Sequence, residues 1–298
     1  MKDLGPYNHF LGIRIARDRA KRTTLLLQDT YIQKILENFQ LDKSNTYQSP
    51  MEETTLQQLT PYEGDATKQE IFQYQSAIGS LQHLSIQTRA DISFATGALA
   101  RFNHNPSPLH WKAVQRVMKY LHGTKLLGVS YEATGTEELN LHGYSDADFA
   151  GDIATRKSTA GYVFFCANGP ISWKSARLTA VTLSVTESEY YGLTNAAKEA
   201  KWIAQLLSEL TYDKPDVRTI LIHGDNTASI NWSQNPESHQ RSKHIDVKWH
   251  YIRQEVNLNS IRLEHKSTHD MTADGLTKPL SIAKHKRFVA QLGMRTLQ

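Results

Sequence analysis

The spacing of apolar residues changes character partway along this chain, and that change calls for two regions built by different rules. Before about residue 125, apolar side chains recur at the three- and four-residue intervals of a helix face. From Glu138 onward they alternate or run together, as strands do. The 298 residues exceed what one typical domain needs. Two domains are therefore expected, over residues 1–125 and 126–298.

In the first region, Asp29 is expected to cap a helix whose stripe is Ile32, Ile35, Leu36 and Phe39. A polar stretch from Asp42 to about Glu70, containing Pro50, Pro61 and Gly64, reads as a linker. Tyr74, Ile78, Leu81 and Leu84 mark a second helix, and Ile92, Ala95, Leu99 and Phe102 a third. The fourth has the clearest ends. Ser107 suits the N-cap, Pro108 the first helical position and Gly123 the residue past the end, around the stripe Val114, Val117, Met118 and Leu121. Lys112, Arg116 and Lys119 fall on another of its faces, spaced to follow a phosphate backbone. A plain solvated face explains them at least equally well.

In the second region, Leu139, Leu141 and Gly143 alternate with polar neighbours in a strand leading into Asp146. Two antiparallel strands follow, Gly161 to Cys166 and Ile171 to Lys174, joined through Asn168-Gly169-Pro170. A long helix from about Thr186 to Leu210 carries Leu193, Ala196, Ala200, Ile203 and Leu207 on its apolar face. Glu189 lies one turn before Leu193 on that face, while Glu187 is turned roughly opposite. A glutamate aimed at a core is costly without a partner, which singles out Glu189. Its plainer reading is a capping box with Thr186.

The run Ile220-Leu221-Ile222 is apolar throughout, as in a strand covered on both faces. Asp225 follows at its carboxyl end, where open α/β sheets place ligands; its plainer reading is a cap for the helix through Thr227 and Ile230. A helix from about His244 to Glu255, a strand from Ile261 to Glu264, and a short helix holding Asp274 and ended by Pro279 complete the order.

Composition narrows the function classes. No apolar run approaches the length of a bilayer span, and MKDLGPYNHF lacks the features of a secretory signal, so a cytoplasmic or nuclear chain is expected rather than a secreted one. The single cysteine, Cys166, excludes an internal disulfide and a thiolate zinc site. A net charge of +4 with a pI near 8.9 favours a polyanionic partner. Trp202 and Trp249 are expected to pack rather than to stack on bases.

The element order and its four carboxylates resemble a ribonuclease H (RNase H) domain. The motif strings are similar to the reverse transcriptase and RNase H of copia-type long-terminal-repeat retrotransposons. Tyr144-Ser-Asp-Ala-Asp-Phe-Ala-Gly-Asp152, Arg156-Lys-Ser-Thr-Ala-Gly-Tyr162, Ser184-Val-Thr-Glu-Ser-Glu-Tyr190, His223-Gly-Asp-Asn226, Arg241-Ser-Lys-His-Ile-Asp246 and Ala273-Asp-Gly-Leu-Thr-Lys278 occur in the family's order. Upstream, Phe10-Leu-Gly-Ile13 resembles the end of the polymerase palm. Gly79-Ser-Leu81, Thr88-Arg-Ala-Asp-Ile92 and Tyr120-Leu-His-Gly-Thr124 resemble the thumb and connection, with Ala90 in place of the family's usual proline. The tyrosine-x-aspartate-aspartate turn of the palm is not found. DNA synthesis by this chain alone is therefore not expected, and the chain is expected to begin just after that turn.

The resemblance implies a fold and an activity. The fold is α/β: an RNase H-like mixed five-stranded sheet with flanking helices, preceded by a mainly helical thumb and connection. The activity is cleavage of the RNA strand of RNA–DNA hybrids, leaving a 3′-hydroxyl and a 5′-phosphate. Two Mg2+, or Mn2+, about 3.5–4 Å apart would supply the chemistry, and carboxylates are the hard oxygen ligands they prefer. By the same resemblance Asp146 would bridge both ions. Glu189 and Asp225 would serve the leaving-group side, and Asp274 the ion that binds the nucleophilic water. Asp148 shares the strand face of Asp146 and is the runner-up. Related nucleases often carry a histidine near the position of His265 or His269, but neither is assigned. Arg241, Lys243 and His244 are candidate phosphate contacts, or a solvated basic loop. The expected partners are the hybrid and the rest of a Pol polyprotein (palm, fingers and integrase), in a virus-like particle or the nucleus. The alternative is a non-catalytic nucleic-acid-binding remnant.

Overall fold

Two tight reversals fold the start of the chain back on itself, with Gly12 at φ +81° and Arg22 at φ +51° in the left-handed region. The computed structural model, which describes residues 5–133, 141–210, 219–234 and 246–297, opens with strands β1 (His9–Phe10), β2 (Ile13–Asp18) and β3 (Thr23–Leu27). Helices α1 (Asp29–Asn38), α2 (Glu53–Gln58), α3 (Lys68–Gln87), α4 (Ser93–Ala100) and α5 (Pro108–Gly123) follow, then β4 (Leu127–Glu132). Next come β5 (His142–Asp148), β6 (Thr159–Cys166), β7 (Gly169–Arg177), α6 (Val185–Leu210), β8 (Ile220–Gly224), α7 (Thr227–Gln234) and α8 (Asp246–Asn257). Strand β9 (Ile261–His265), two short 3-10 turns (Thr268–Asp270 and Thr272–Leu276), α9 (Ile282–Gln291) and β10 (Met294–Thr296) close the order.

These elements form two compact units, Met1–Gly135 together with Pro279–Gln298, and Thr136–Lys278. The division departs from the expected 1–125 and 126–298 at both edges. β4 pairs with β3, and β10 pairs with β4 (Met294 opposite Val129), so the last residues return to the first unit. That pairing joins residues too distant in sequence for periodicity to reveal.

The first unit is mainly helical, as expected, and adds an antiparallel sheet in the order β1-β2-β3-β4-β10 that the helical stripes did not reveal. Its helices follow the expected stripes: Ile32, Ile35 and Leu36 of α1, Tyr74, Ile78, Leu81 and Leu84 of α3, and Val114, Val117, Met118 and Leu121 of α5 are all buried in one core. Ser107 caps α5 by accepting from His110 N at 3.1 Å. Asp29 does not cap α1 and instead pairs with Arg14 at 2.8 Å.

Two of the quoted motif strings meet inside this unit. Arg89 and Asp91 have fully buried side chains and pair twice, Nε to Oδ1 at 3.0 Å and Nη2 to Oδ2 at 2.8 Å. Arg89 also donates to the carbonyl (3.1 Å) and hydroxyl (2.7 Å) of Thr124. Tyr120 donates its hydroxyl to Asp91 Oδ2 at 2.6 Å, so His285 Nε2 of α9, 2.9 Å from that hydroxyl, carries the proton. A buried ion pair is weak support for net stability, but removing one partner strands the other charge. Asp91→Ala should therefore lower unfolding free energy by about 3–5 kcal/mol. Glu52→Ala, which frees Arg116 from the half-exposed pair at 2.7 Å, should lower it by under about 1 kcal/mol. Paired urea melts check both, and equal losses would contradict the account.

The second unit has the expected mixed five-stranded sheet, in the order β7-β6-β5-β8-β9. β5–β6 and β6–β7 are antiparallel, whereas β5–β8 and β8–β9 are parallel. α6 lies on one face through Leu193, Ala196, Ala197, Ala200 and Ile203, against Ile220, Ile222 and Phe164. It comes so near β5 that a Cβ on Gly192 would sit 3.3 Å from both the Asp146 carbonyl and Ser145 Oγ. The expected short helix around Asp274 is instead a pair of 3-10 turns.

Candidate metal centre

The parallel register of the sheet brings the first two carboxylates together. Tyr144 pairs with His223, so two residues further along, Asp146 on β5 comes level with Asp225, just past the end of β8. The turn holding Asp274 is pressed onto β6, where a Cβ on Gly161 would meet Leu276 Cβ at 2.6 Å. One carboxylate oxygen from each of Asp146, Asp225 and Asp274 consequently lies within 4.8 Å of the other two.

Glu189 is not among these mutually close oxygens, but it is buried beside them and feels the charges of Asp146 and Asp225. The capping role read for it from sequence belongs to neighbours. Ser184 Oγ accepts from Glu187 N at 3.1 Å, and the Glu187 carboxylate accepts from Leu183 N at 2.7 Å. Glu187, expected to face away, is thus buried, because the cap falls on Ser184, two residues before the Thr186 read as the cap from the sequence. Asp225 is likewise not the cap of α7; Asn226 Oδ1 accepts from Ser229 N at 2.9 Å.

Each aspartate is held by a group that periodicity did not single out. The Thr277 hydroxyl donates to Asp146 Oδ2. The Thr268 hydroxyl donates to Asp225 Oδ2 at 3.0 Å. Lys278 Nζ lies 3.1 Å from Asp274 Oδ1, a buried oxygen that no well-aligned hydrogen bond reaches. Lys278 stands inside the quoted Ala273–Lys278 string, four residues past Asp274. The sequence signal was present, but its direction depended on the turn geometry.

Burial pushes the Asp146 carboxyl from its ordinary value near 3.8 up to about 7, with the charges of Asp274 and Asp225 adding and the charge of Lys278 and the hydrogen bond from Thr277 opposing. Burial likewise pushes Glu189 up to about 10, aided by Asp146 and Asp225 and opposed by a hydrogen bond from the Ala147 backbone. Lys278 is raised although burial opposes its charge, because Asp146 and Asp274 outweigh that penalty. Asp148 is half-buried and raised by burial, with its carboxylate packed over Gly151, and lies outside the close set.

Lys112, Arg116 and Lys119 belong to the first unit. Lys112 borders a cleft of about 380 Å³ with Trp111 and Tyr74. Arg116 is occupied by Glu52 and stacks over Tyr47 at 4.2 Å, and Lys119 is half-buried. Arg241, Lys243 and His244 lie outside the described residues, as does the side chain of Trp249. Trp202 is 57% exposed, so it is not the packing residue expected. His265 is exposed, and His269 is exposed with Asp270 at 3.1 Å.

The Pol polyprotein from transposon TNT 1-94 of Nicotiana tabacum is 36% identical to this chain over 306 residues, and that from transposon RE1 of Arabidopsis thaliana is 37% identical over 297. Each match takes in 99% of the chain. The chain belongs to the retrovirus-related Pol polyproteins of transposons. It spans 22% and 19% of the length of those two Pol relatives. No protein-family model matches it. Among solved structures, LC11-RNase H1, isolated from compost by a metagenomic approach, is 16% identical, covering 47% of this chain and 94% of its own, with a TM-score of 0.36. No helix among the described residues of this Pol chain is long and apolar enough to cross a membrane.

A raised carboxyl pKa fixes the sign of a pH effect. Protonated Asp146 favours the folded state, so this stability is complete below about 3.8 and lost as pH rises through about 7. In chelator, Asp146→Asn should raise stability by under about 1 kcal/mol at pH 4 but by on the order of 3–4 kcal/mol at pH 8. Paired denaturant melts measure this, and an identical effect at both pH values would contradict the burial of that charge.

Proposed function

We propose that the Thr136–Lys278 unit is a divalent-metal-dependent RNase H that cuts the RNA strand of RNA–DNA hybrids, as part of a copia-type retrotransposon reverse transcriptase. The observation that carries this reading is the convergence of the Asp146, Asp225 and Asp274 oxygens within 4.8 Å. Like charges gathered in a buried pocket are unfavourable unless they protonate or share a cation. The donor set fits Mg2+ or Mn2+: every candidate ligand is a carboxylate, and among the described residues no cysteine or histidine joins the close set. Asp274 Oδ1, buried without a well-aligned hydrogen bond, leaves lone pairs for such an ion.

Asp146, Glu189, Asp225 and Asp274 would hold two ions. When bound, these would supply Lewis-acid stabilisation of the attacking and departing oxygens of a phosphodiester displacement. The chain's own work is positioning. β5 and β8 fix two ligands on paired strands, Thr277 and Thr268 orient their carboxylates, and the 3-10 turn presents Asp274. Hybrid would be selected by groove shape and 2′-hydroxyls. The palm, fingers and integrase of the same polyprotein are the proposed partners.

The test incubates purified chain with Mg2+, then with excess chelator, on labelled hybrid, duplex RNA and duplex DNA. Hybrid RNA should be cut only with the ion present. Folded protein that leaves it intact would reject the nuclease in favour of a binding-only remnant. Asp225→Asn should abolish cutting while hybrid binding, followed by anisotropy, persists; retained cutting would reject the role of Asp225.

A further inference from the structure

Besides carrying Asp274, the stretch from Thr268 to Lys278 meets three aspartates with one polar group each. Thr268 donates to Asp225, Thr277 donates to Asp146, and Lys278 places its ammonium 3.1 Å from Asp274 Oδ1. The two hydroxyls are neutral and can go on orienting carboxylates that also hold an ion. The ammonium differs, because it brings a positive charge to the place where cations would sit. Asp146, Asp148 and Asp274 all act on that charge. The side chain is 39% exposed, so it has an open route away from the cluster. Lysine is also suited to leaving, as a point charge on a flexible four-carbon stem without the fixed fork of arginine.

We propose that Lys278 is a built-in countercation, which neutralises the carboxylate cluster while divalent ions are absent and must withdraw before the cluster is fully loaded. This rests on the metal-dependent reading above and extends it, because the residue would then set how much divalent ion the site requires. Its charge acts in two opposed directions. Without ions it relieves repulsion among Asp146, Asp225 and Asp274 and so helps the unit stay folded. With ions it is a competitor, since a cation arriving beside a fixed positive charge is repelled and must first displace it.

The experiment uses the full chain with no nucleic acid. Wild type, Lys278→Met and Lys278→Arg are titrated with Mn2+ by calorimetry, and each is melted in chelator. Methionine keeps most of the stem without the charge, whereas arginine keeps the charge. Lys278→Met should bind Mn2+ roughly tenfold more tightly than wild type and melt at a lower temperature in chelator. Lys278→Arg should bind no more tightly than wild type. If Lys278→Met gives no cooperative melt, Lys278→Gln takes its place in the same comparison. Unchanged or weaker Mn2+ binding by the neutral variant would overturn the countercation role while leaving the metal reading intact. Wild type and variants that all fail to bind Mn2+ would overturn both.

Discussion

Electrostatic repulsion among buried carboxylates is the constraint to which the second unit is built. Asp146 and Glu189 are 3% and 6% exposed; the charge of Asp225 bears on both, and that of Asp274 on Asp146. An arrangement of this kind works against folding, because burial and like charge both disfavour the ionised form. It persists because rigid elements surround it. The β5–β8 register fixes Asp146 against Asp225, the close approach at Gly192 brings α6 onto β5, and the contact at Gly161 seats the turn of Asp274. Thr277, Thr268 and Lys278 then meet the carboxylates with compensating groups. Strain of this type gathers at functional sites, where a bound ligand relieves it.

The first unit solves a similar problem differently. Its buried ions, Arg89 and Asp91, are opposite in sign and close a hydrogen-bonded network through Thr124, Tyr120 and His285. Nothing in that network needs an external charge. Among the described residues, the chain therefore sets a self-compensated charge cluster beside one whose acidic groups outnumber the lysine facing them, and the second has the composition of a cation site.

Much of this was legible in the residues. Helical stripes and the Ser107-Pro108 start located α1, α3 and α5, because amphipathic spacing and capping are local. The apolar run at Ile220 and the turn residues at Asn168-Gly169-Pro170 located the sheet of the second unit for the same reason. Glu189 stood out because it sits on the apolar face of α6. What was missed is non-local. β2, with Ile13, Ile15 and Ala16 half-buried among Arg14 and Arg17, shows little contrast between its faces. Pairing of β10 with β4 cannot be read from either segment alone. The partners of the aspartates come from 3-10 turns, whose side-chain directions follow no fixed sequence period. Glu187 was misplaced because the cap of α6 falls on Ser184, two residues before Thr186, which makes Glu187 rather than Glu189 the capping glutamate.

The central claim is that this carboxylate cluster exists to seat divalent cations. Anomalous diffraction from crystals of the chain soaked in Mn2+ tests it most directly. The account predicts anomalous peaks within roughly 2.0–2.5 Å of carboxylate oxygens of Asp146, Asp225 and Asp274. Ordered carboxylates with no peak among them, at Mn2+ concentrations that fill other surface sites, would contradict it.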